Sequence, residues 1–238
     1  MIQVHEVIKT FDGKEILRNL NLNVERGTIY GLLGANGAGK TTTFKLISGL
    51  LQPTAGSIHF SGEVIQTQNK EFLKEMGVLI ETPVFYEHLS AGENLEIHLA
   101  YMGCDTADID NSLQVVGLAD TGKKAVSKFS LGMKQRLAIA RAISHTPKLL
   151  VLDEPVNGLD PIGIRQMREL FLSLVKDQDM TILISSHILS EIEHIADKVG
   201  VLVNGHIAKE VSMSEVRKSC PEGLEDYFFN IMSGGAQG

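Results

Sequence analysis

Residues 34–41 read Gly34-Ala35-Asn36-Gly37-Ala38-Gly39-Lys40-Thr41, and this octet restricts the fold more than any other feature of the chain. It satisfies every fixed position of GxxxxGK[ST]. An apolar run, "TIYGLLG", precedes it. A segment of helical periodicity, "KTTTFKLISGL", follows, with Phe44, Ile47 and Leu51 on one side and Pro53 closing the pattern. Strand, glycine turn and helix in that order converge backbone N–H groups and the positive end of a helix on one point, which suits a phosphate. Asn36, Gly37, Ala38 and Gly39 form that cradle. Lys40 is placed to reach β- and γ-phosphates, Thr41 to offer its hydroxyl to Mg²⁺, and Thr42 to add a phosphate contact. Thr43 has no motif role and reads as structural.

The remainder of the chain alternates strands and helices. "IQVHEVIKTF", "LNLNVER", "GSIHF" and "MGVLI" read as strands in the first third. From about Tyr86 to His145 the periodicity is helical, in "AGENLEIHLAYMG", "DIDNSLQVVGL" and "LGMKQRLAIARAISH", which predicts an inserted helical subdomain. Strands return at "KLLVLDEP", "MTILISS" and "KVGVLV", separated by "GIRQMRELFLSLVK" and "ILSEIEHIAD". Alternation of this kind implies parallel strands with right-handed crossovers, and apolar strands without polar alternation imply burial on both faces. "VLVNGHIAKE" reads as a hairpin turning at Asn204-Gly205.

At 238 residues the chain can build one sizeable core with an insertion. Its net charge of −7 argues against a general nucleic-acid binder. Cys104 and Cys220 fit neither a disulfide framework nor a zinc spacing, and both suit a reducing compartment. The first residues lack a secretory signal pattern, and no run approaches the ~20 apolar residues that span a bilayer. Any membrane role is therefore expected to come through a partner.

"KLLVLDEP" is an apolar strand that delivers two acids, Asp153 and Glu154, towards the edge where the phosphate loop lies. An acid ending such a strand helps hold Mg²⁺ in P-loop proteins, which assigns Asp153. Glu154, one residue further, is placed to polarise water attacking a γ-phosphate, where reach matters more than acidity. His187 ends another strand, and a lone histidine there reads as structural.

Taken together, these motifs resemble the nucleotide-binding subunit of an ATP-binding cassette transporter over nearly the whole chain. The resemblance implies an α/β fold: a P-loop NTPase core with a mostly parallel sheet, an N-terminal antiparallel β subdomain and an inserted α-helical subdomain. It implies one ATPase domain over 1–238, with the core in 1–82 and 147–211, the helical signature subdomain in 83–146 and a C-terminal helical tail in 212–238. Phe11 resembles the aromatic on which adenine stacks. Phe129-Ser130-Leu131-Gly132-Met133-Lys134-Gln135-Arg136 sits where the signature LSGGQxQR belongs, with Ser130 and Gly132 retained and Phe129, Leu131 and Met133 departing. Such a motif needs an N-cap hydroxyl and a helix N-terminus, and Leu131 fits it as long as its backbone keeps a negative φ. Gly158-Leu159-Asp160 resembles the loop facing the opposing monomer, and His187 matches the switch histidine at the γ-phosphate. The resemblance thus implies a catalytic set of Lys40, Glu81, Glu154 and His187, with ATP and Mg²⁺ as ligands. It also implies a head-to-tail homodimer enclosing ATP, separate permease subunits, and a place on the inner face of the cell membrane. A soluble relative acting on ribosomes or DNA is the rival reading, but paired cassettes and a long coiled-coil insertion are both missing. A GTPase would need an NKxD motif, which the chain lacks.

Glu81, in "GVLIETPVFY", stands where the family usually carries glutamine in the loop joining core to helical insert. Glutamate replaces an amide by an acceptor-only anion. At an effective dielectric near 20, its charge ~6 Å from a phosphate charge costs roughly 3 kcal/mol, whereas a divalent cation ~4 Å away returns roughly twice 4 kcal/mol before desolvation. The balance favours Glu81 only when metal is loaded. With "FSLGMKQR", this glutamate makes the chain resemble the cassettes of bacteriocin-immunity and bacitracin-resistance exporters, which implies a peptide-antibiotic cargo. The expected outcome is that ATP hydrolysis by the natural chain depends more steeply on Mg²⁺ than that of Glu81→Gln. Parallel Mg²⁺ titrations check this, and coincident curves refute it.

Overall fold

The computed structural model describes residues 1–66, 68, 70–104, 107–186, 189–219, 224, 227 and 228. β1 (Ile2–Phe11) and β2 (Lys14–Val24) form an antiparallel hairpin, and β3 (Ile29–Leu33) leads into α1 (Lys40–Ile47). β2 starts ahead of the predicted "LNLNVER" because Asp12 and Gly13, with φ of 47° and 78°, close a tight turn. β4 (Ala55–Phe60) and the short β5 (Glu63–Val64) complete a four-stranded antiparallel sheet of order β2-β1-β4-β5.

After β6 (Met76–Leu79) come three helices, α2 (Ala91–Met102), α3 (Ile109–Val115) and α4 (Leu131–Ile143). Their starts are encoded locally. Ser90 and Glu93 form a reciprocal capping box on α2, Asp108 caps α3 and Ser130 caps α4. β7 (Leu149–Asp153), α5 (Pro161–Gln178), β8 (Thr181–Ser185), α6 (Leu189–Ile195), β9 (Lys198–Val203), β10 (His206–Ser212) and α7 (Met213–Ser219) follow. The second sheet has the order β10-β9-β3-β8-β7-β6, parallel throughout except for β10, which runs antiparallel to β9. Asn204 and Gly205 turn that last hairpin with φ of 48° and 83°, the left-handed pair the dipeptide predicts.

β3, β7 and β8 are buried at every position, as their unbroken apolar sequences require. Alternation distributes their side chains between two cores. Ile29, Leu33, Leu150, Leu152, Ile182 and Ile184 pack against the helices, while Tyr30, Leu32, Leu149, Val151 and Leu183 pack on the side shared with α1 and the antiparallel sheet. Each such side chain contributes about 1.5–3 kcal/mol relative to exposure. Gly77 sets how closely α4 lies on β6: a Cβ there would stand 2.1 Å from the Ala142 carbonyl oxygen. This approach brings the N-terminal end of α4 near the C-terminal edge of the sheet, where Gln135 Nε2 donates to the Pro155 carbonyl at 2.8 Å.

His98 of α2 and His145, just beyond α4, meet in a tilted ring contact where the helices reach the sheet, with centroids 5.5 Å apart and planes inclined at 60°. His145 Nε2 bonds the Met76 carbonyl at 3.2 Å. Burial, reinforced by His145 and Arg141, pushes the His98 pKa down to about 4. An unstructured histidine titrates near 6.5, so the unfolded chain takes the proton first as pH falls. This contribution is intact above pH 6.5 and is lost progressively towards pH 4. It amounts to about 1–2 kcal/mol by pH 5. Thermal melts should therefore show a drop of several degrees between pH 7 and pH 5, and a smaller drop for His98→Gln. An equal drop in both proteins rules out His98 as a source of acid lability.

Candidate functional site

The phosphate loop leaves β3 at Leu33 and enters α1 at Lys40. Gly37 and Gly39 take φ of 81° and 112°, so the turn needs glycine at both positions. A Cβ on Gly37 would meet nothing within 4 Å and would project into open space. That space is a cavity of about 450 Å³ lined by Phe11, Ile16, Asn36, Gly37, Gly39, Lys40, Thr41, Thr42, Asp153 and Glu154. Thr43 turns inward and its hydroxyl bonds the Gly39 carbonyl at 2.9 Å, as its lack of a motif role predicts. Lys40 is buried, and its ammonium donates to the Gly34 and Ala35 carbonyls at 2.6 and 3.4 Å. The cation is thus held inside the loop that needs it.

A chain of hydrogen bonds crosses from α1 to β7 to β8. Thr41 Oγ1 donates to Asp153 Oδ2 at 2.6 Å, and Ser185 Oγ donates to Asp153 Oδ1 at 2.5 Å. Ser185 Oγ also accepts the Glu154 N–H at 3.1 Å. Strand register explains the meeting, since Asp153 lies opposite Ser185 in the β7–β8 pair. Ser185 went unremarked in the sequence. Its only signal is a small hydroxyl at the C-terminal end of a buried strand. Glu154 takes the left-handed conformation, φ 52°, which is costly for a residue with a Cβ and fixes where its side chain leaves the strand. The buried carboxylate of Asp153 beside the Thr41 hydroxyl is an oxygen-only donor pair of the kind that suits Mg²⁺.

Phe11 stands at the rim, 41% exposed, with the Lys9 ammonium 4.8 Å from its ring centroid. Glu81, also left-handed at φ 61°, lines a neighbouring cavity of about 480 Å³ with Thr82, Pro83, Leu131, Gln135, Asp153, Glu154 and Asn157. Its carboxylate is engaged by Lys45 Nζ at 2.5 Å, a contact 36 residues away in sequence.

Ser130, exposed at the start of α4, accepts the Met133 N–H at 3.2 Å. Leu131 is the first residue of α4 and is not among the positive-φ residues, so the non-consensus side chain fits the helix start without strain. It lies over Gly158 and is 63% exposed. Gly132 follows within the first turn. None of Ser130, Gly132 and Asp160 lines the phosphate-loop cavity of its own chain. Asp160 caps α5 through the Gly163 N–H at 2.7 Å. Gln135 and Arg136 are structural ties, the latter bonding the Val116 carbonyl and Gln166. His187 lies outside the described residues. Among those described, no helix is long and apolar enough to cross a membrane.

Comparison with known proteins agrees with this arrangement. A family model described as ABC transporter matches residues 17–157. The bacitracin transport ATP-binding protein BcrA of Bacillus licheniformis is 48% identical over 94% of this chain and 74% of its own length. The lantibiotic transport ATP-binding protein SrtF of Streptococcus pyogenes is 43% identical over 97% of this chain and 96% of its own. Among solved structures, an ATP-binding subunit of an ABC transporter superposes with a TM-score of 0.86 at 28% identity, over 98% of this chain and 99% of that one. A dimeric ATP-binding cassette carrying ADP and phosphate, at 22% identity and TM-score 0.82 over 90% and 99%, shares the fold. A phosphate loop facing an Asp–Glu strand end, matched by the family model and by a relative of nearly the same length, identifies the chain as a member of the ABC transporter ATPase family.

Proposed function

We propose that this ATP-binding subunit hydrolyses Mg²⁺–ATP as the motor of an exporter that removes a membrane-active peptide antibiotic. The observation that carries the ATPase reading is the Thr41–Asp153–Ser185–Glu154 chain at the mouth of the phosphate-loop cavity. In this reading Asn36, Gly37, Ala38 and Gly39 hold the β- and γ-phosphates through backbone N–H groups, and Thr42 adds a hydroxyl. Lys40 trades its loop carbonyls for phosphate oxygens. Phe11 offers a face to adenine. Thr41, Asp153 and Glu81 hold Mg²⁺, which when bound neutralises charge on the transferring phosphoryl group. Ser185 positions both acids, and Glu154 orients the attacking water and takes its proton. His187 is assigned to the γ-phosphate on resemblance alone.

The dimer reading is supported by what a single chain leaves incomplete. Ser130, Gly132 and Asp160 do not line their own chain's phosphate cavity, and Ser130 is exposed at a helix N-terminus. A second copy placed head to tail would bring them to the ATP. The division of labour proposed is a core of 1–82 and 147–211, a signature subdomain of 83–146 facing the partner, and a tail from 212. Permease subunits would supply the membrane path and hold this chain on the inner face. The cargo class rests on the names of the relatives, one a bacitracin and the other a lantibiotic transport protein.

Lys40→Ala should weaken ATP binding by at least tenfold, read with a fluorescent nucleotide; unchanged affinity would remove the phosphate-loop assignment. Glu154→Gln should retain binding, lose more than 100-fold in hydrolysis, and elute as a dimer with ATP and Mg²⁺. A monomer under those conditions counts against the sandwich. Deleting the gene in its host should raise sensitivity to bacitracin or a lantibiotic, measured as inhibitory concentration, and unchanged sensitivity to both classes would refute the cargo proposal.

A further inference from the structure

We propose that Lys45 is a positioning residue for Glu81, and that its hold on this carboxylate sets how tightly the site takes up a divalent cation. The inference rests on the Mg²⁺-dependent ATPase reading above. Thr41 and Lys45 are four residues apart on α1 and share one face of it. That face makes two contacts in register: Thr41 with Asp153 at 2.6 Å, and Lys45 with Glu81 at 2.5 Å. The Glu81 carboxylate is therefore held along the same face of α1 as the oxygen pair suited to the metal.

Two further observations make this arrangement more than a surface ion pair. Glu81 shares a cavity with Asp153 and Glu154, so apart from Lys45 its nearest charged company there is anionic. The ammonium offsets that repulsion. The left-handed backbone at Glu81 also fixes the direction in which its side chain departs, leaving rotation about the side-chain bonds as the way to change partners. The pair is wet, with Lys45 31% and Glu81 63% exposed, so it is screened and can be exchanged at low cost. A divalent cation at Thr41 and Asp153 presents twice the charge of the ammonium. Glu81 thus has two competing cationic partners, and the lysine is the one it holds without metal. A glutamine at 81 would have no charge to share between them, so the competition belongs to the Lys45–Glu81 combination.

Lys45 also sits in the last turn of α1, where any cation is favourable, so a purely structural role must be separated. The test is equilibrium uptake of Mn²⁺ by the ATP-bound full-length chain, read from loss of the free-Mn²⁺ paramagnetic resonance signal. Lys45→Met should tighten Mn²⁺ about two- to fivefold by releasing Glu81, and Lys45→Arg should stay near the natural chain. Glu81→Gln should weaken uptake, and adding Lys45→Met to it should then change nothing. An equal tightening by Lys45→Met in both backgrounds would show a simple charge effect and overturn the proposal, as would no change in the single variant. If the natural chain takes up no Mn²⁺ with ATP, the metal-site reading itself has failed, which separates the two failures.

Discussion

The site is organised around one buried carboxylate. Asp153 ends strand β7 and receives hydrogen bonds from Thr41 on α1 and Ser185 on β8, so three elements are fixed at a single side chain. Little of its surface reaches water, and a buried anion is tolerated only when its lone pairs are occupied. The same constraint aims the neighbouring glutamate, because Ser185 accepts the Glu154 N–H while Glu154 adopts a left-handed backbone. Strain at that residue is sustained by the sheet beneath it, whose strands are apolar on both faces.

A second set of contacts joins this centre to the helices. The segment from Glu81 to Glu87 is tied to the helical side by Arg141, which donates to the Val84 carbonyl at 3.0 Å and lies 5.0 Å over Phe85. Asn94 clasps the Tyr86 backbone through both its N–H and its carbonyl, and Lys134 pairs with Glu87 at 2.6 Å. On the core side the same segment carries the Lys45–Glu81 pair. The segment is thus held by several contacts on the helical side and by a solvent-exposed ion pair on the core side.

Most of the scaffold was legible in the sequence because its causes are local. Apolar runs without alternation gave the doubly buried strands, and Asn204-Gly205 gave the last hairpin. Ser130 was expected to cap the signature helix, and it does. The phosphate loop and the Asp153–Glu154 strand end were equally plain, since each motif is contiguous. What escaped notice was contact between distant segments. Ser185 meets Asp153 through strand register, Gln135 meets Pro155 through helix packing, and Lys45 meets Glu81 across 36 residues. Glu81 was recognised as unusual, yet its partner depended on which face of α1 turned towards β6. Leu131 shows the converse: it broke the consensus, but a helix start tolerates it.

The central sheet has one consequence for how such a chain can change over time. Its strands send alternate side chains into two separate apolar clusters, with the backbone ladder between them. A methyl group added beneath α1 is poorly relieved by trimming a residue under α4, because the strand backbones lie between the two clusters. Descendants of this sequence can therefore redesign the interior on the helical flank while the flank carrying the triphosphate cradle keeps its shape.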